Sequence, residues 1–73
     1  MTYIRKQEPM QPHQQRVVDE KTELDIKITK LSDFSNGDIF KTLPDDEQER
    51  LTRQFNIMRD YSAVLGERIN AFI

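Results

Sequence analysis

The chain has 73 residues, a formal net charge of −2, 33% charged residues, no cysteine and one histidine. That length allows one domain at most. The composition excludes disulfides, thiolate metal sites and histidine-rich metal sites, and the charge balance is not that of a general DNA binder. A core this small leaves little net stability unless something staples it. With disulfide and metal set aside, oligomerisation is the staple that remains. No apolar run is long enough for a transmembrane helix, and the N-terminus lacks a signal-peptide core. The expectation is an intracellular protein.

Residues 1–11 read as a flexible N-terminal arm. Pro9 falls in this stretch and Pro12 follows it, beside Gln7 and Gln11, with no periodicity. Proline disfavours helix for the residue before it and in helix interiors. Residues 12–73 read as a single helical-hairpin domain. Its first helix starts at Pro12 or His13, with Pro12 suited to the first turn, and runs to about Phe34. Val17, Leu24, Ile28 and Leu31 form one apolar stripe, with Lys21 in the gap and Val18 widening the face. The other side is charged. Arg16/Glu20, Lys21/Asp25 and Glu23/Lys27 stand four apart, the spacing of helical ion pairs.

Ser35-Asn36-Gly37 breaks this pattern, and Asn-Gly is a strong turn signal. Asp38 to Thr42 reads as one helical turn that caps the hairpin and tucks Ile39 and Phe40 under it. Leu43-Pro44-Asp45-Asp46-Glu47 opens the last helix. Proline suits the first turn, and the three carboxylates complement the positive end of the helix dipole. Dipole complementarity accounts for that acidic run without a metal.

The last helix extends to about Phe72. Leu51, Phe55, Met58, Leu65, Ile69 and Phe72 lie on one stripe, with Ser62 in the missing position. A second stripe runs beside it: Ile57, Tyr61 and Val64, ending at Arg68. One other long helix cannot cover both. Ser62 and Gly66 are small and four apart, a spacing that would let another backbone come close. The fold expected is therefore all-α: an antiparallel hairpin of two long helices with a short helical turn between them, assembling as a homo-oligomer. No Ser–His–acid set or glycine-rich phosphate loop is present, and the carboxylates sit on solvated helix faces. The expectation is a protein that is not an enzyme and needs no cofactor.

Two stretches carry a family resemblance. The first holds His13-Gln14-Gln15-Arg16-Val17, then Asp19-Glu20-Lys21, Glu23-Leu24 and Lys27. The second is Met58-Arg59-Asp60-Tyr61-Ser62-Ala63-Val64-Leu65-Gly66-Glu67-Arg68-Ile69. Together they resemble the phage anti-CBASS type-2 family, the small helical cyclic-nucleotide sponges of tailed phages. The resemblance implies a homohexamer in the host cytoplasm. Such an assembly sequesters cyclic dinucleotides such as cyclic GMP-AMP, and in some members cyclic trinucleotides at a separate site, without cleaving them.

The resemblance also assigns roles. His13 stands where the family often has tyrosine and would stack on a nucleobase, over a smaller area than tyrosine offers. Lys27 would pair with a ligand phosphate. Arg68, converging from several protomers, would bind trinucleotide phosphates, and Arg16 is a further ligand-binding candidate. These roles suit the ligand, because base stacking contributes about 1–3 kcal/mol and arginine offers phosphate a planar fork. A competing reading needs no nucleotide. In it the hairpin is a protein-binding module, a phage inhibitor that docks its Ile57/Tyr61/Val64 face on a host protein.

Overall fold

The computed structural model describes residues 10–72. Three helices follow in order: α1 (Pro12–Ser35), α2 (Asp38–Thr42) and α3 (Asp45–Asn70). The chain enters α1 with Gln11 extended, and Pro12 takes the first helical position, where its missing N–H has no partner to lose. Gln14 reaches back, its Oε1 accepting the Gln11 N–H at 3.1 Å. That contact is the return half of a capping box. Of the expected arm, residues 1–9 lie outside the described residues.

α1 stops where the Asn-Gly pair predicts. Asn36 leaves the helix, and the Gly37 N–H donates to the Phe34 carbonyl at 3.1 Å. α2 is the expected single turn, but it tucks only one of its two apolar side chains. Phe40 is half-buried and meets Phe34 edge-on, with centroids 6.3 Å apart. Ile39 is 65% exposed. Successive helical residues point about 100° apart, so one turn cannot present both neighbours to the same core. Pro44 is the N-cap of α3 and not a first-turn residue, one position from the expectation. Asp45, Asp46 and Glu47 then occupy the first turn and Arg68 the last, charges that complement the dipole at both ends.

α1 and α3 pack antiparallel along the two predicted stripes. Val17 and Leu65 are buried, and the other apolar members of both stripes are half-buried. The result is a rod, 57 × 17 × 17 Å, with a radius of gyration of 17.1 Å. A compact chain of this length would have a radius of about 11 Å. No described helix is long and apolar enough to cross a membrane.

The gaps in the two stripes meet each other at the middle of the hairpin. Lys21 Nζ donates to Asp25 Oδ2 at 2.8 Å and to Ser62 Oγ at 3.1 Å, and Ser62 Oγ donates to Asp25 Oδ1. These donated hydrogen bonds, Lys21 first and Ser62 second, hold the Asp25 carboxyl below the usual carboxylate range. This gives the small pair a role within the chain. Ser62 is buried inside its own hairpin, and a Cβ at Gly66 would lie 3.4 Å from the Lys21 Cε. The small pair makes room for the lysine stem of the same chain.

Candidate functional site

The four predicted ligand-binding residues stand on one lateral face of the rod. On α1, His13, Arg16, Glu20, Glu23 and Lys27 follow each other in steps of three and four, a single line along the helix. On α3, Ile57, Tyr61, Val64 and Arg68 form another such line. Tyr61 fixes how the two lines lie, because its hydroxyl donates across the hairpin to Glu20 Oε2. The α1 line therefore runs beside the second stripe of α3, in the opposite direction.

This arrangement brings some of the residues together. His13 and Arg16 precede Glu20 along α1, and Arg68 follows Tyr61 along α3. All three thus gather at the open end of the hairpin. Lys27 is not with them. It lies on the other side of Glu20, 14 positions from His13, which is about 21 Å along the helix. His13, Arg16, Lys27 and Arg68 are all exposed. The ion pairs found among the described residues are Lys21–Asp25, Arg50–Asp46 and Arg50–Glu47. Arg16/Glu20 and Glu23/Lys27, expected from spacing alone, are not formed. Glu20 turns to Tyr61 instead, and among the described residues no carboxylate pairs with Arg16 or Lys27.

The surplus stripe is open on this face. Ile57 is 60% exposed, Tyr61 43% and Val64 48%. On the opposite lateral side, a shallow groove of about 350 Å³ is lined by Lys21, Ile28, Arg59, Ala63 and Gly66, among others. Its Lys21 is already neutralised by Asp25. Arg59 lies over the Phe55 ring, 5.7 Å from the centroid, so the stronger set of free cations is on the Tyr61 face. No cluster of three or more metal-ligating side chains occurs among the described residues.

Sequence reasoning left two features unread. One is the Lys21–Asp25–Ser62 cluster, which it had as a surface ion pair and a separate gap filler. The signal was present: each apolar stripe breaks once, near its middle. The other is Glu20, treated as one solvated charge among many. No sequence signal reveals its bond to Tyr61, since the partners are 41 positions apart.

Comparison with known proteins adds lineage to this geometry. A family model, Sequestin, matches residues 11–71, and its name denotes sequestration, a binding role. An uncharacterized 7.5 kDa protein from the denB–rIIB intergenic region of Enterobacteria phage T4 is 40% identical over 63 residues, covering 86% of this chain and 98% of that relative. No solved structure matches. The matched span takes in all three helices, and the chain belongs to the Sequestin family.

Proposed function

We propose that this protein is a phage immune-evasion sponge. It binds and holds cyclic dinucleotide second messengers of host CBASS defence, cyclic GMP-AMP among them, without cleaving them, and it takes cyclic trinucleotides at a second site. It works in the host cytoplasm as a homo-oligomer, a hexamer by the family resemblance, and binds neither DNA nor membrane.

The observation that carries the reading is the placement of uncommitted cations beside an uncovered apolar stripe. Among the described residues Arg16, Lys27 and Arg68 have no carboxylate partner, and all flank Ile57, Tyr61 and Val64. Within one rod, Lys27 stands about 21 Å from His13, too far for one small cyclic ligand to touch both. A second copy seated on the exposed stripe supplies what is missing. It buries apolar area, and it can bring His13 of one protomer near Lys27 of another. His13 then stacks on a base and Lys27 meets a phosphate, while Arg68 residues converge elsewhere on phosphates of a trinucleotide. The elongated shape supports the same reading, because a rod whose described residues bury only two apolar side chains, Val17 and Leu65, is short of core for an independent fold.

Native mass spectrometry with and without a panel of cyclic di- and trinucleotides tests the proposal. A hexamer that gains discrete ligand masses, released intact on denaturation, is the expected result. A monomer that gains no mass across the panel would overturn it. Such a result would favour the competing reading, a module that presents its exposed stripe to a host protein.

A further inference from the structure

Each apolar stripe breaks once, and the two breaks face each other. Lys21 Nζ donates to Ser62 Oγ across the hairpin at 3.1 Å and to Asp25 on its own helix at 2.8 Å. Ser62 Oγ donates in turn to Asp25. Ser62 is buried, and among the described residues no buried side-chain nitrogen or oxygen lacks a partner. The cluster is satisfied in this alignment of the two helices.

The apolar residues alone do not require this alignment. Along both stripes they recur every three or four residues, so a slip of one turn, about 5 Å, again sets apolar against apolar. The connection restrains such a slip only weakly, since α2 is five residues long and buries none of them. The polar residues oppose it. With α3 slipped one way, Lys21 faces Met58 and Ser62 faces Val17. Slipped the other way, they face Leu65 and Leu24. In either case an ammonium and a hydroxyl lose each other within an apolar seam, which costs more than the bond itself stabilises.

We propose that Lys21, Asp25 and Ser62 are positioning residues, which fix the register of α1 against α3 and so set the spacing of the nucleotide-binding face. The inference rests on the cyclic-nucleotide reading above. His13, Arg16 and Lys27 ride on α1, whereas Arg68 and the stripe that seats a second copy ride on α3. A one-turn slip carries Arg68 about 5 Å along the rod relative to His13 and Arg16. It shifts Lys27 by the same distance against the second copy. Hydrogen bonds to phosphate reach about 3 Å, so a shift of that size breaks them. A polar group in an apolar helix seam acts in this way, fixing the pairing while lowering stability relative to an apolar seam.

The chain has no cysteine, so Asp19→Cys with Glu49→Cys adds one spin-label pair, at exposed positions of α1 and α3. Asp19 lies two positions from Lys21, and Glu49 thirteen from Ser62 in the opposite direction along the rod, about 22 Å apart axially. Dipolar electron spin resonance on labelled chains diluted with unlabelled protein should give one distance in the parent. Lys21→Met with Ser62→Ala makes the seam apolar. It should spread the distances by about 5 Å per turn and melt no lower than the parent. Its affinity for cyclic GMP-AMP in isothermal titration should fall at least about tenfold, the scale of one lost charge-assisted hydrogen bond. Loss of affinity without loss of stability separates positioning from a merely structural role. Should the double variant not fold, Ser62→Ala alone keeps the Lys21–Asp25 pair and should spread the distances in the same direction. A folded variant that keeps the parent's single distance overturns the proposal, and so does a spread of distances with unchanged affinity. If the parent binds no cyclic nucleotide, the sponge reading falls and takes the positioning role with it, while the distances still decide whether the cluster sets the register.

Discussion

Truncating Leu65 and Ile57 to alanine, separately, probes the two stripes of α3 with nearly the same loss of side chain. Leu65 is fully buried between α1 and α3, at 0% exposure. Truncating a buried leucine costs about 2–5 kcal/mol, less where the surroundings can close the cavity. A rod only 17 Å thick can close, so about 3 kcal/mol is expected. For a domain of this size each kcal/mol moves the midpoint by about 4–8 °C, giving a loss of about 12–24 °C. Ile57 is the sharper case, because it is 60% exposed in one chain. If it stays exposed, its truncation costs about 0.5 kcal/mol or less. If a second copy covers it, burial of the exposed part of an isoleucine stabilises by about 1–2 kcal/mol, and its loss lowers the midpoint by about 4–16 °C. Melting followed by far-ultraviolet circular dichroism at two protein concentrations separates the cases, since an assembly melts higher when concentrated. The expected result is a large loss for both variants and a midpoint that rises with concentration. An Ile57→Ala protein that melts with the parent, in a chain that remains monomeric, would refute the reasoning that a second copy covers the stripe.

Three further outcomes follow from particular contacts. Lys27→Glu should abolish nucleotide binding and leave the native mass of the assembly unchanged; retained binding in titration would remove Lys27 from the site. Gly66→Ala should stabilise by about 0.5–1 kcal/mol, because alanine is the better helix former and the new methyl meets only the flexible Lys21 stem at 3.4 Å. A lower melting midpoint would instead mean that a neighbouring backbone rests on Gly66. The Asp25 carboxyl is held down by Lys21 and Ser62, so its folded pKa lies below its unfolded one. Its contribution to stability is present above the unfolded pKa and is lost as pH falls through the folded value. Asp25→Asn should therefore flatten the decline in stability below about pH 4, and an unchanged acid profile would mean that the cluster does not persist in solution.

Much of this protein is local and was legible in one dimension. Helix periodicity is a property of neighbouring residues, so the two stripes, the Asn-Gly break, the α2 turn and the acid-rich start of α3 could be read from spacing and propensity alone. The exposed second stripe was legible too, because a helix that is apolar beyond one face cannot be covered by a single partner. Register was not legible. Whether Lys21 faces Ser62 depends on how the short connection and α2 set the offset between α1 and α3, and no local signal encodes that offset. Only tertiary structure could turn two breaks into one polar cluster, hand Glu20 to Tyr61 in place of Arg16, and turn Ile39 outward. For the same reason the sequence could nominate His13, Arg16, Lys27 and Arg68 but could not place Arg68 against the others. Helix rise alone, about 1.5 Å per residue, separates Lys27 from His13, whereas only packing brings Arg68 of α3 to the end of α1 that carries His13 and Arg16.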